Sequence, residues 1–194
     1  MRTIVRFFMK IIFCKIFYRV KFFGEENVKN LDKCIICANH SNKYEPTWLY
    51  SNIDNLFIMA KAELFENKII AKLYKYFGIF PIRRGQKDVK SIMHAINLFD
   101  TTEKRKLLIF PEGERMPKEI ERGPAKVGPT YIAAKAGVRI VPTYITKNVS
   151  VFSKVKVIYG NPIEVPKELI KDKEKLKEFS EELLNIIYSL KGSD

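Results

Sequence analysis

Short apolar runs recur along the chain, and longer segments with a helical spacing of apolar residues separate them. Most of these short runs end at a charged residue, Gly or Pro, a pattern that favours buried strands. They read "YRVKFFG" from Tyr18, "CIICA" from Cys34, "LFIMA" from Leu56, "GIFPI" from Gly78, "KLLIF" from Lys106, "VRIVPTYI" from Val138 and "KVKVIYG" from Lys154. We therefore predict seven extended segments, with "EENVKNLDK" as a loop after the first.

Helices are predicted in most of the intervening segments. Apolar residues recur at helical spacing from Asp88 to Phe99 and again from about Asp172 to Leu190. Shorter helices are expected in "PTWLYSN", in residues 63–76 and in "GPTYIAAKAG". Strands that alternate with helices predict a single α/β domain with a largely parallel or mixed sheet covered by helices. In such sheets, functional residues gather where strands end and loops begin.

The first twenty residues, "MRTIVRFFMKIIFCKIFYRV", are apolar and aromatic, yet no charge-free run among them exceeds four residues. A spanning helix needs about 18 or more mostly apolar residues, so we expect neither a spanning segment nor a cleaved signal peptide. Arg2, Arg6 and Lys10 share one helical face. The helix either lies in a membrane interface or packs on the domain, and we favour the interface. We therefore predict an amphipathic membrane-associating helix in residues 1–20 and the main domain in residues 21–194.

The composition adds a preference for anionic partners. Of the 194 residues, 46% are apolar, which is too many for a disordered chain. The 35 Lys and Arg against 22 Asp and Glu give a net charge of +13. This charge favours a phosphate-bearing substrate, an anionic membrane surface or nucleic acid, and it does not choose among them.

The three cysteines are too few for a disulfide framework. Cys34 and Cys37 form a CxxC pair inside a predicted strand, where side chains three apart point to opposite faces. We therefore expect buried thiols and not a redox pair, no zinc site, and a reducing environment on the cytosolic side.

The segment "CANHSNKYEP", residues 37–46, is the first candidate for chemistry. His40 follows a predicted strand, and Glu45 precedes Pro46 at the start of a predicted helix, whose positive end favours an ionised carboxylate. The four residues between them can turn, so Glu45 could fix the tautomer of His40 and raise the basicity of its other nitrogen. Equally, the two residues could be a loop histidine and a helix-capping glutamate that never meet. We expect the second histidine, His94, to lie on the surface without a role.

Two further strand ends deliver charged residues. "GIFPIRRG" ends in Arg83 and Arg84, whose forked donors suit a phosphate. "LLIFPEGER" places Glu112 at a strand end, with a glycine that allows close backbone approach and Arg115 beyond it. Each segment alone is a weak signal, and a plain turn would also explain Pro and Gly. Together the strand ends supply the groups that a phosphate- and hydroxyl-bearing substrate needs.

Taken in order, these segments resemble the glycerolipid acyltransferase family, typified by bacterial 1-acylglycerol-3-phosphate acyltransferases. "NHSNKYEP" is similar to the family signature Asn-His-x-x-x-x-Asp-Pro, and "GIFPIRRG" to the block with a phosphate-binding arginine. "FPEGER" is similar to Phe-Pro-Glu-Gly-Thr-Arg, and "IVP" at residues 140–142 to the last block. The resemblance extends from "FYRVKFFG" to "VKVIYGNPIEV". Glu45, Arg83 and Glu114 depart from the family pattern, which has Asp, an acidic or amide residue, and Thr at these positions.

The resemblance implies a role for each matching residue. His40 would be the general base that takes the proton of the acceptor hydroxyl, and Glu45 would orient it. The remaining candidates are substrate contacts: Arg84 and Arg115 for phosphate, Glu112 with Gly113 for the glycerol portion, and Arg83, Lys126 and Pro142 as further contacts.

The implied reaction acylates the sn-2 hydroxyl of 1-acylglycerol 3-phosphate to give phosphatidate in phospholipid biosynthesis. The acyl donor would be acyl-CoA or acyl carrier protein, with no bound cofactor and no metal. Glycerol 3-phosphate or another lysophospholipid is the alternative acceptor. The expected location is the cytoplasmic face of the cell membrane, as a peripheral or monotopic protein on anionic lipid. A non-catalytic membrane-surface protein and a basic nucleic-acid-binding module are the alternatives from other classes, and we expect no nucleic acid because no known binding motif accompanies the basic residues.

Overall fold

The computed structural model of the chain describes residues 2–83 and 88–192. Its centre is a seven-stranded sheet in the order β1-β7-β6-β2-β5-β3-β4, in which every neighbouring pair is parallel except β6 and β7. The strands are β1 (Arg19–Phe23), β2 (Lys33–Ala38), β3 (Leu56–Lys61), β4 (Ile79–Ile82), β5 (Arg105–Ile109), β6 (Arg139–Ile145) and β7 (Lys154–Tyr159). The predicted α/β domain with a mixed sheet is confirmed.

Helices cover both faces of this sheet. They are α1 (Arg2–Met9), α2 (Glu26–Lys29), α3 (Glu45–Asn52), α4 (Lys68–Tyr76), α5 (Val89–Asn97), α6 (Gly128–Ala136) and α7 (Lys173–Ser189). A π-helical segment (Lys10–Phe17) continues α1, and short 3₁₀ turns occupy Ala62–Phe65, Lys167–Lys171 and Leu190–Gly192. As the pattern predicts, α6 begins with a proline in its first turn and ends at Gly137, which is left-handed with φ of 65°.

Two predictions of local structure are wrong. The segment "EENVKNLDK" is not a plain loop, because Glu26–Lys29 forms one helical turn with Val28 buried beneath it. Residues 63–76 do not form one helix, because the side chain of Asn67 accepts hydrogen bonds from the N–H groups of Ile69 and Ile70 and begins a new helix there.

Two apolar clusters lie on opposite faces of the sheet. Cys34 and Ile36 belong to the cluster under α3, whereas Ile35 and Cys37 belong to the cluster under α5, α6 and α7. The alternation follows from the two-residue period of the strand. The expectation that the CxxC thiols are buried and point apart is confirmed.

The N-terminal helix contacts the domain through its basic side. Arg6 donates from Nε to the carbonyl of Tyr50 at 2.9 Å and pairs with Asp54, while Lys10 donates to Oδ1 of Asn52 at 3.2 Å. The large side chains left exposed by this docking are Ile4, Phe7, Phe8, Ile12, Ile16 and Phe17. Met9, Phe13 and the buried Cys14 also pack against the core. The helix and the segment that follows it therefore dock on the domain and leave several other large apolar side chains exposed. None of the helices in the described part of the chain has both the length and the apolar character needed to cross a membrane.

The native protein should react with a thiol reagent at none of its three cysteines near neutral pH. Burial raises the pKa of the Cys14 and Cys37 thiols and raises that of Cys34 to about 12, so almost no reactive thiolate is present. Titration with Ellman's reagent should give no rapid equivalents in buffer and all three in denaturant. A fast equivalent in the native state would contradict this burial.

Candidate active site

The carboxyl ends of three neighbouring parallel strands meet at the candidate site. β2 is the central strand, and it pairs with β5 on one side and β6 on the other, so that Cys37 lies opposite Ile109 and Pro142. The chain leaves β2 toward His40 and leaves β5 into "FPEGER". A crevice outside the strand ends at such a switch point is where ligands bind in open α/β sheets.

Asn39 fixes the backbone just before His40. Its side chain is fully buried, donates from Nδ2 to the carbonyl of Ile145 at 2.9 Å and accepts from the N–H of Ile145 at 2.7 Å. These two bonds extend the pairing of β2 with β6 by one residue. Sequence reasoning gave Asn39 no separate role, and its position between a strand and a histidine was the available signal.

The contact that spacing alone left open between His40 and Glu45 is present. Nδ1 of His40 lies 2.6 Å from Oε2 of Glu45, and the glutamate is fully buried at the first turn of α3. A carboxylate on Nδ1 orients the ring and leaves Nε2 as the nitrogen that can act on a substrate.

The loop before α3 closes around the Glu45 carboxylate. The N–H groups of Ser41 and Asn42 donate to Oε1 at 3.0 and 2.9 Å, and the Ser41 hydroxyl donates to the same oxygen at 2.9 Å. The extra methylene of Glu45, relative to the family aspartate, is therefore accommodated by the way the loop folds over it.

The His40 ring lies at the edge of a cleft of about 550 Å³. It stacks on Phe110, with 3.9 Å between ring centroids and 18° between planes, and only 8% of the residue is exposed. The walls of the cleft come from the ends of β2 and β3, the first turn of α3, α4 and the loop after β5. The residues that line it besides His40 and Phe110 are Lys43, Pro46, Thr47, Ile58, Met59, Ala60, Lys61, Leu64, Tyr74, Ile79 and Arg115.

The buried carboxylate of Glu112 holds the backbone of His40 in place. It is 1% exposed, and its Oε2 accepts from the backbone N–H of His40 at 2.8 Å. Its Oε1 accepts from the N–H of Gly123 at 3.1 Å and from the hydroxyl of Tyr188 on α7 at 2.8 Å. Burial, together with the adjacent Glu112 charge, raises the pKa of Tyr188, which keeps its hydroxyl protonated as a donor. Sequence reasoning missed Tyr188, which lies 76 residues further along the chain.

A second, more polar cavity of about 730 Å³ lies beside the cleft, and three cations together with the carboxylates of Glu112 and Glu114 line it. Lys61 and Arg115 line both cavities, and Lys126 lines the polar one. Gly113 lines the polar cavity with φ of 77°, and a Cβ on this residue would come within 3.2 Å of the Lys126 side chain. The glycine is therefore needed both for its backbone conformation and for the approach of Lys126.

The remaining predicted contacts lie in different environments. Arg83 is exposed and lines a smaller apolar cavity of about 210 Å³, together with Gly113 and Lys126. Arg84 lies outside the described residues. Pro142 is buried within β6, where its carbonyl accepts from Gly160, and it lines none of these three cavities.

The second histidine, His94, lines neither the His40 cleft nor the polar cavity. His94 is exposed on α5, as expected, with its ring edge-on to Phe80. Within residues 2–83 and 88–192, no group of three or more His, Cys, Asp and Glu side chains is positioned to hold a metal ion.

Comparison with known proteins identifies the family of this chain. A model of the family described as Acyltransferase matches residues 19–146, which are 128 of the 194 residues. The chain therefore belongs to the acyltransferase family.

Two curated relatives are named 1-acyl-sn-glycerol-3-phosphate acyltransferase. The one from Streptococcus pneumoniae (strain ATCC BAA-255 / R6) is 31% identical in an alignment of 156 residues. The alignment covers 73% of this chain and 57% of that protein. The one from Bacillus subtilis (strain 168) is 30% identical over 151 residues, which cover 74% of this chain and 73% of that protein. The chain thus spans just over half the length of the pneumococcal relative.

A solved structure supports the fold. The crystal structure of the 1-acyl-sn-glycerophosphate (LPA) acyltransferase PlsC from Thermotoga maritima matches with a TM-score of 0.71. The match covers 98% of this chain and 80% of that one at 22% identity, so it supports the architecture and not the activity.

Replacing Glu112 by Gln should lower the free energy of unfolding by about 2–4 kcal/mol, because an amide NH₂ would face a buried donor in either orientation. Glu114→Gln is the matched control, since Glu114 is exposed and its replacement should change stability by less than about 0.5 kcal/mol. Urea unfolding followed by circular dichroism would measure both. Equal stability of the two variants would contradict the bracing role of Glu112.

Proposed function

We propose that the protein transfers an acyl group from a thioester to the sn-2 hydroxyl of 1-acylglycerol 3-phosphate, forming phosphatidate. The observation that supports this most directly is the 2.6 Å contact between His40 Nδ1 and Glu45, at the edge of a cleft that Arg115 also lines. A candidate base and cationic side chains line the same cleft, which suits an acceptor with both a hydroxyl and a phosphate.

The reaction is a direct displacement. Nε2 of His40 takes the proton of the sn-2 hydroxyl as its oxygen attacks the thioester carbonyl carbon. The tetrahedral intermediate collapses with cleavage of the carbon–sulfur bond, and the imidazolium returns the proton to the departing thiolate. The buried carboxylate of Glu45 stabilises the imidazolium between these two steps.

The phosphate of the acceptor would bind in the polar cavity. Lys61, Arg115 and Lys126 converge there from β3, from the loop after β5 and from the approach to α6. Forked arginine donors and lysine point charges both suit a phosphate, and their distribution on separate loops fits a compact dianion. Arg83 and Arg84 remain further candidates for this role, and Pro142 remains a predicted substrate contact.

The acyl chains need an apolar environment next to His40. Ile58, Leu64, Tyr74 and Phe110 provide apolar walls in the same cleft. Contact of Glu112 with the glycerol portion stays a prediction, because in this conformation three protein donors bind its carboxylate.

The substrate is a lipid, and the protein would meet it at an anionic membrane surface. The outward side chains of α1 and the following segment include Phe7, Phe8 and Ile16. Phe152 is also exposed, and its N–H donates to the carbonyl of Phe17 at 2.6 Å. Apolar and aromatic side chains of this kind insert at the headgroup boundary of a bilayer, and the net positive charge adds attraction to anionic lipid. We place the protein at the cytoplasmic face of the membrane, with acyl-CoA or acyl carrier protein as the donor.

Purified protein with lipid vesicles and either donor should convert 1-acylglycerol 3-phosphate to phosphatidate. His40→Ala should reduce kcat by on the order of 10²–10⁴-fold because it removes the base. Glycerol 3-phosphate and 1-acylglycerophosphocholine are the comparison acceptors, and His94→Ala is the matched control with full activity. Turnover of another acceptor alone would keep the chemistry and replace the named reaction. Equal activity of the wild type and His40→Ala would refute the role of His40 as the base.

Restoring the aspartate of the family signature should impair this protein. The loop donors surround a carboxylate at the end of the longer glutamate side chain, so Glu45→Asp withdraws it by about 1.5 Å from those donors and from His40. A displacement near 1 Å can cost about 100-fold in rate, so we expect a fall of at least tenfold in kcat with little change in KM. Steady-state kinetics would measure this, and a faster Glu45→Asp enzyme would show that the loop adapts to either side chain.

A further inference from the structure

The helix α4 is unusual because it leaves almost all of its surface uncovered. No residue of α4 is fully buried, although the helix is two and a half turns long. Ile69 is 82% exposed and Leu73 is 52% exposed, and Tyr76 on the same stripe is also exposed. We call Ile69, Leu73 and Tyr76 the α4 stripe. Single exposed apolar residues are ordinary, whereas a continuous stripe on one helix indicates a contact surface.

A basic stripe runs beside the apolar one. Lys68, Lys72 and Lys75 follow the same spacing of four and three residues, and all are exposed. The helix itself contains no acidic residue, and Glu63 and Glu66 precede it. An apolar stripe flanked by lysines matches a helix that lies in the headgroup region of an anionic bilayer, with its lysines reaching the phosphates.

The third side of α4 faces the catalytic cleft. Tyr74 on α4 and Leu64 in the preceding turn line the cleft that holds His40, and the ring of Tyr74 packs edge-on against Phe65 with 5.4 Å between centroids. The helix therefore lies at the wall of the cleft, with the cleft on one side and the exposed stripes on the others.

The C-terminal end of α4 is joined to the outward-facing N-terminal helix through one residue. Tyr50 accepts a hydrogen bond at its carbonyl from Arg6, and its ring packs edge-on against Phe77 with 6.0 Å between centroids. Helix α1 and the residue that follows α4 thus both contact Tyr50 on α3.

We propose that α4 is a second membrane-contacting element, which rests on an anionic lipid surface and lets the lipid acceptor enter the His40 cleft directly from the bilayer. The occupant is a lipid surface because the two stripes pair apolar insertion with positive charge. An acidic carrier protein would account for the lysines but not for the largely exposed isoleucine. A second copy of this strongly basic chain would bring lysines against lysines, and their repulsion would oppose binding. The membrane contact stands independently of the enzymatic activity, while the entry of acceptor rests on the proposed function.

Local fluorescence would test the contact. Leu73→Cys can be labelled selectively with a nitrobenzoxadiazole probe, because the three native cysteines are buried. Glu178→Cys on the exposed side of α7 is the control position. With vesicles of phosphatidylcholine and phosphatidylglycerol, we expect a blue shift and at least a twofold rise in emission at position 73, no change at 178, and reversal by high salt.

Several outcomes would overturn the proposal. One is a probe at position 73 that stays in water while the protein co-sediments with the vesicles. Others are the absence of vesicle binding, or the same emission change from concentrated protein or acyl carrier protein without lipid. The measurement needs no enzymatic turnover, so it remains decisive if the proposed reaction is wrong.

Activity variants would test acceptor entry. Ile69→Gln with Leu73→Gln removes the stripe and keeps helix-forming side chains, and Val89→Gln with Met93→Gln makes the same change at equally spaced exposed positions on α5. We expect the α4 pair to lower turnover of vesicle-bound acceptor at least fivefold and to leave turnover of a short-chain, water-soluble acceptor unchanged. Equal loss with both acceptors, or an equal effect of the α5 pair, would overturn entry beside α4.

Discussion

One buried carboxylate, that of Glu112, holds together three segments that are far apart in the sequence. A charge removed from water is costly unless hydrogen bonds surround it, and here the donors are the backbone of His40, the backbone of Gly123 and the hydroxyl of Tyr188. The carboxylate can be satisfied only when the end of β2, the long loop after β5 and helix α7 are all in place. The positions of His40 and of the cation-bearing loop are therefore linked to the packing of the whole domain.

The two glutamates of the site divide the support of His40 between them. Glu45 acts locally, because five residues separate it from His40 and the turn between them supplies its other donors. Glu112 acts over 72 residues and fixes the histidine backbone, not its ring. Ring orientation and backbone position are thus set by separate interactions, which together hold the side chain in one geometry.

Local pattern was sufficient for the strands, because they depend on residues close in sequence. For His40 and Glu45 the spacing allowed a contact without requiring it, and only the fold of the intervening turn decides that the two side chains meet. Tyr188 could not be predicted in this way, since a stripe of apolar residues places a helix against the core without revealing which polar group it reaches. The orientation of α1 was equally hidden. A helix with one basic and one apolar face can dock by either, and only the partners offered by α3 decide that Arg6 and Lys10 face inward.

The brace at Glu112 also sets an order of events during synthesis. His40, Glu45 and Glu112 have all emerged long before Tyr188, which follows Glu112 by 76 residues, and β1 must wait for β7 before it can pair. Contacts between residues so far apart in the sequence form slowly, because closing the long loop between them costs conformational entropy before the contact stabilises anything. A nascent chain that already contains the complete histidine motif therefore still lacks the finished arrangement around His40, which is complete only after α7 docks.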